Sequence, residues 1–89
     1  MTRTRRLVLD VLKPHHPNAL DFSTTLADLN EYYRVKLTVV EVDKDTETVI
    51  LVIEGRDIHY DAIIEVIKEM GATVHSIDEV EVEGTTPTA

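Results

Sequence analysis

Eighty-nine residues, 43% of them hydrophobic, suffice for one small domain that removes roughly 65% of its extended-chain surface from water. Seventeen acidic residues against nine lysines and arginines give a net charge of −8, which repels phosphate backbones and argues against sequence-independent nucleic-acid binding. The absence of cysteine removes disulfides, thiolate metal sites and thiol nucleophiles and fits a reducing cytoplasm, and no apolar run approaches the ~18 residues of a membrane-spanning helix.

Met1 to Arg6 leads straight into a short apolar run rather than a leader-like stretch, so no secretory signal is expected. Arg5 to Lys13 reads as a first strand, stopped by Pro14-His15-His16-Pro17 because proline cannot continue a ladder. Asp10 is the one carboxylate within Leu7-Val8-Leu9-Asp10-Val11-Leu12. Left bare in a sheet interior it would cost several kcal/mol or protonate, so it must be paired, hydrated or bound, and it is the best local pointer to a site.

Asn18 is placed to cap a first helix, with Asp21 three positions on, and Phe22, Leu26 and Leu29 form its apolar face through about Asn30. Val35 to Asp43 and Thr48 to Glu54 read as two strands joined by the polar turn Asp43-Lys44-Asp45-Thr46-Glu47, a hairpin. Gly55 ends the second of these. Asp57 then caps a helix whose apolar face is Ala62, Ile63, Val66, Ile67 and Met70, ended by Gly71. Ala72 to about Val82 is the last strand. The domain is thus expected to span residues 1–83, with a flexible tail over 84–89.

Strand, helix, strand, strand, helix, strand is the α+β, ferredoxin-like β-α-β-β-α-β arrangement: a four-stranded antiparallel sheet of order 4-1-3-2 with both helices on one face. Such a sheet should alternate apolar and polar side chains, yet Val49 to Ile53 is apolar throughout and Leu7 to Leu12 is apolar except at Asp10. The uncovered face therefore carries Val8 and Leu12 plus either Ile50 and Val52 or their neighbours. A patch of that kind marks a protein interface, and homo-oligomerisation is the expectation.

Val74-His75-Ser76-Ile77-Asp78-Glu79-Val80 falls on the strand expected beside Asp10. Asp10, Asp78 and Glu79 could supply oxygen ligands to calcium or magnesium; alternatively Asp10 pairs with an arginine or bonds Ser76. A Ser-His nucleophilic set is disfavoured because His75 and Ser76, adjacent on a strand, should point to opposite faces. Asp43, Asp45, Glu47 and Glu54 imitate a calcium loop, but Thr48 stands where glycine is needed and a continuous strand follows, so the segment reads as a solvated turn. His15 and His16 have no evident third ligand and read as surface loop. No catalytic or cofactor-binding residues emerge.

Arg5-Arg6-Leu7-Val8-Leu9-Asp10-Val11-Leu12-Lys13-Pro14, followed by the Asp43 turn, Ile53-Glu54-Gly55 and Val74 to Val80, resembles the archaeal family catalogued as domain of unknown function 211. The likeness spans residues 5 to 83. It implies a compact ferredoxin-like domain, an archaeal source and self-assembly, and brings no established activity. The chain departs from the pattern at Glu31-Tyr32-Tyr33-Arg34 and after Glu83. Together these features predict a non-enzymatic, cytoplasmic homo-oligomer that assembles through its open sheet face and binds a divalent cation near Asp10, with neither nucleic acid nor membrane as partner. A small-ligand-sensing regulatory module with interface pockets is the alternative, and a metal-dependent hydrolase the poorer one.

Overall fold

The period of two along the first strand organises the molecule. In the computed structural model, which describes residues 1–86, β1 (Thr2–Pro14) buries Leu7, Leu9, Val11 and Lys13 on one face and turns Val8, Asp10 and Leu12 to the other. The remaining elements are α1 (Ala19–Ala27), β2 (Arg34–Val42), β3 (Thr46–Glu54), α2 (Tyr60–Glu69) and β4 (Thr73–Gly84). They form the expected β-α-β-β-α-β fold, and the antiparallel sheet runs β2-β3-β1-β4, which is the predicted order read from the other edge.

Leu7, Leu9 and Val11 meet Val49, Leu51 and Ile53 of β3 on the covered face. Phe22 and Leu26 of α1 and Ile63 and Ile67 of α2 close over them. Asn18 Oδ1 accepts the Asp21 N–H at 2.8 Å, the expected cap.

Several boundaries differ from the sequence reading, each for a local reason. α1 stops at Ala27 and not near Asn30: Asn30 Oδ1 accepts the Tyr32 N–H at 2.9 Å and turns the chain, which leaves Leu29 exposed. α2 begins at Tyr60, and His59, not Asp57, holds the cap position. The start is delayed because buried Ile58 donates its N–H to Thr4 O at 2.8 Å, tying the segment to β1. Ala62 lies outside the packed face and is exposed. β1 begins three residues earlier than Arg5, β4 runs through Gly84, and Thr85 donates its N–H to Met1 O at 2.9 Å; residues 87–89 of the expected tail lie outside the described residues.

The sheet also outruns its helices. Helices of nine and ten residues reach about 15 Å, whereas the thirteen-residue β1 extends about 43 Å. Width matters too: Ile77 and Val80 on β4 pair with buried Leu9 and Leu7, and Val39 on β2 pairs with buried Val49, yet all three stay exposed, as do Val82 and Val42, because they lie on the outer strands. Phe22 is fully buried at the helix-sheet junction, so Phe22→Ala should cost about 3–5 kcal/mol in urea unfolding, and a loss below about 1 kcal/mol would show that the junction repacks.

Candidate functional site

Strand register defines the open face row by row. Arg34, Glu54, Arg6 and Glu81 cross the sheet in one row, followed by Lys36, Val52, Val8 and Glu79, and then Thr38, Ile50, Asp10 and Ser76. Val8, Ile50 and Val52 are half-buried and Leu12 is 43% exposed. The four apolar residues singled out from the sequence therefore share this face, in a stripe over the two central strands. The β2 edge beside the stripe is basic, through Arg34 and Lys36, and the β4 edge is acidic, through Glu79 and Glu81.

Asp10 lies between Ile50 and Ser76 in the register. Ser76 Oγ donates to Asp78 Oδ1 at 2.6 Å, so Asp10 and Asp78 stand on either side of one hydroxyl-bearing residue. Glu79 is engaged elsewhere: Arg6 Nε bonds its Oε2 at 3.1 Å while Arg6 Nη1 reaches Glu54 Oε2 at 3.1 Å. Among the described residues no three His, Asp or Glu side chains converge to hold a metal ion. β4 is bulged, with Asp78 skipped between Glu79 and Ile77 and His75 skipped between Ser76 and Val74. At this bulge His75 borders two hollows, one of about 250 Å³ with Asp10, Leu12 and Thr48 and one of about 300 Å³ with Tyr60, Ile64 and Ile67.

A second constellation escaped the sequence reading. Lys13 is fully buried, its Nζ 3.2 Å from Glu47 Oε1, 2.7 Å from Pro14 O and 5.9 Å from the Phe22 ring centre. The other oxygen of Glu47 meets His15 Nδ1 at 3.0 Å, and His15 Nε2 lies 2.9 Å from Lys44 O. Two acceptors flank the ring, and only an imidazolium donates to both. Accordingly the bond to Glu47, then that to the Lys44 carbonyl, raises the His15 pKa, while His15 first and Lys13 second lower that of Glu47. The network joins the end of β1 to the β2–β3 turn, so the segment read as solvated turn has one structural member, Glu47, and the histidine loop likewise has one, His15. The signal was present: Lys13 continues the inward series 7, 9, 11.

Residues 5–86 match the model of a family described as uncharacterised ArCR, domain of unknown function 211. An uncharacterised protein of Methanocaldococcus jannaschii is 48% identical over 80 residues, which are 90% of this chain and 82% of that protein.

Removing Glu47 strands a buried ammonium, so Glu47→Ala should cost about 3 kcal/mol in chemical denaturation, while Lys13→Met, which removes the charge and keeps the bulk, should cost far less. Equal losses would refute the ion-pair account. With its pKa raised on folding, His15 contributes stability that is full below about pH 6.5 and is lost as pH rises through the folded value. Glu47, with its pKa lowered, contributes above its ordinary value of 4.5 and loses that contribution as pH falls through the folded one. Melting temperature should therefore be highest between these limits, and His15→Gln should flatten the alkaline limb; an unchanged limb would remove His15 from the account.

Proposed function

Because the chain belongs to the family domain of unknown function 211, whose membership supplies no activity, we propose that it works as a non-enzymatic cytoplasmic homo-oligomer whose open sheet faces pack on one another. The observation that carries this reading is the row Lys36, Val52, Val8, Glu79, with a basic edge, an apolar centre and an acidic edge. A second copy turned over about an axis parallel to the strands lays its β2 edge on the first copy's β4 edge. Lys36 of each then meets Glu79 of the other, Val8 meets Val52, and Asp10 meets Ile50. Turning it about an axis across the strands sets β2 on β2 and β4 on β4, bringing like charges together at a cost. Charge complementarity thus favours a second copy of this chain as the occupant of the apolar stripe, and one axis for it. Exposed Ile77, Val80 and Val82 leave a further apolar surface on the helix side, so assembly can continue past two copies.

A cation-linked version of this assembly draws on the proximity of Asp10 and Asp78 to Ser76. Asp10→Asn separates the two versions. Direct face-to-face packing buries Asp10 against Ile50, so neutralising it should tighten association; a calcium bridge would instead loosen, and its calorimetric heat would vanish.

Light scattering at micromolar concentration should give at least twice the monomer mass of 10.1 kDa. Lys36→Glu and Glu79→Lys should each dissociate alone, since both edge contacts then join like charges, and associate when mixed, because the mixed pair has opposite charges at both edge contacts. A native mass of 10.1 kDa would end the proposal, and indifference to both reversals would end its face-to-face geometry.

A further inference from the structure

All five arginines of the chain, Arg3, Arg5, Arg6, Arg34 and Arg56, line two adjoining clefts at one end of the molecule, while the four lysines lie outside both. The larger, about 390 Å³, is bounded by Arg5, Arg6, Arg34 and Arg56. Two carboxylates, Glu54 and Glu81, share its wall, so four guanidinium charges outnumber them within a chain whose net charge is −8. The excess is not absorbed internally. Arg6 is held between Glu54 and Glu79, and Arg5 reaches Glu83 at 3.9 Å, but Arg34 and Arg56 make no ion pair among the described residues.

The wall is also ordered. The Arg56 guanidinium stacks 3.7 Å from the centre of the Tyr32 ring, and the Tyr32 N–H is fixed by Asn30 Oδ1 at 2.9 Å. Stacking restrains the guanidinium and leaves its edge N–H groups available, the orientation suited to bonding an oxyanion. Tyr33, the next residue, accepts the His59 N–H at its hydroxyl and packs against Gly55, where an added Cβ would stand 2.9 Å from its ring. The segment carrying Tyr32 and the segment carrying Arg56 are thereby braced together. Arginine, more than lysine, matches an oxyanion with several terminal oxygens, because each planar fork donates two parallel bonds.

We propose that this cleft binds the phosphate group of a small phosphate monoester, with Arg34 and Arg56 as its principal donors and Arg5 as a third charge. Its volume lies at the lower end of the range for small-molecule sites, which leaves room for an organic moiety besides the phosphate, and its confinement to one end of an acidic molecule excludes a nucleic-acid backbone. The overall negative charge is no obstacle at contact distance, since it is screened beyond about 8–10 Å at physiological salt.

The test is a titration of the native chain with inorganic phosphate and with phenyl phosphate at constant ionic strength, followed by ¹H–¹⁵N spectra. Saturable shifts at Arg34, Gly55 and Arg56 are expected with both, tighter for phenyl phosphate. Arg56→Gln should weaken both by about tenfold, the effect of losing a charged hydrogen-bond donor, and Arg56→Lys should recover little, since charge without the fork is not enough. The cleft borders the open face through Arg6, Arg34, Glu54 and Glu81, but Arg56 follows β3 in a loop outside every row of that face, so Arg56→Gln is expected to leave the mass measured by light scattering unchanged and the two proposals fail separately. Shifts reproduced by sodium chloride, absent, or indifferent to Arg56→Gln would overturn the site; equal affinity for the two probes would overturn its assignment to an ester.

Discussion

Pairing of β1 on both of its edges is the constraint from which the rest follows. Hydrogen bonded to β3 on one side and β4 on the other, this strand cannot slip without exchanging its faces, because a shift of one residue would send Leu7, Leu9 and Val11 to solvent and Asp10 to the core. The register therefore decides at once where the helices pack, which side chains form the open face and where the few buried charges lie. Lys13 illustrates how firmly it acts: the alternation that buries three aliphatic side chains takes the next charged one with them, and Glu47 is drawn in to neutralise it.

The fold was legible because each of its signals is local and repeated. Period-two runs, the cap at Asn18 and the breaks at Pro14, Gly55 and Gly71 all agree with the order of elements. The apolar character of the open face was legible in the same way, but its β3 members were not: Val49 to Ile53 is apolar throughout, and it is the pairing of Val8 with Val52 and Asp10 with Ile50 that puts Ile50 and Val52 on that face. What could not be read depends on pairing between distant segments. The bulges that displace His75 and Asp78 are properties of the β1–β4 ladder, and the tie from Ile58 to Thr4, which delays α2, joins residues far apart in the chain. Lys13 falls between these cases: its inward parity was readable, but its counter-charge Glu47 lies 34 residues away.

Charge in this protein is distributed by residue type as well as by sign. Lysines are dispersed, one of them in the core, whereas the arginines gather where two loops meet the start of β1. Acidic residues dominate β4 from Asp78 to Glu83. The open face thus presents opposite potentials at its two edges, although the molecule as a whole is strongly negative. In the proposed assembly, such an arrangement would orient a second copy while long-range repulsion disfavours indiscriminate contact.

The bulges of β4 and the register break in β2 after Val39 bear on how any assembly ends. Edge strands offer unpaired N–H and C=O groups, and a straight edge invites another strand without limit. Here both outer strands are interrupted, and the exposed side of β4 carries a run of carboxylates. Growth by adding strand to strand is poorly supported at either margin, so in the proposed assembly copies would meet through surfaces that saturate. For a sheet with apolar side chains on both faces, irregular edges work against propagation as a fibre, and the proposed assembly would accordingly be a particle of finite size.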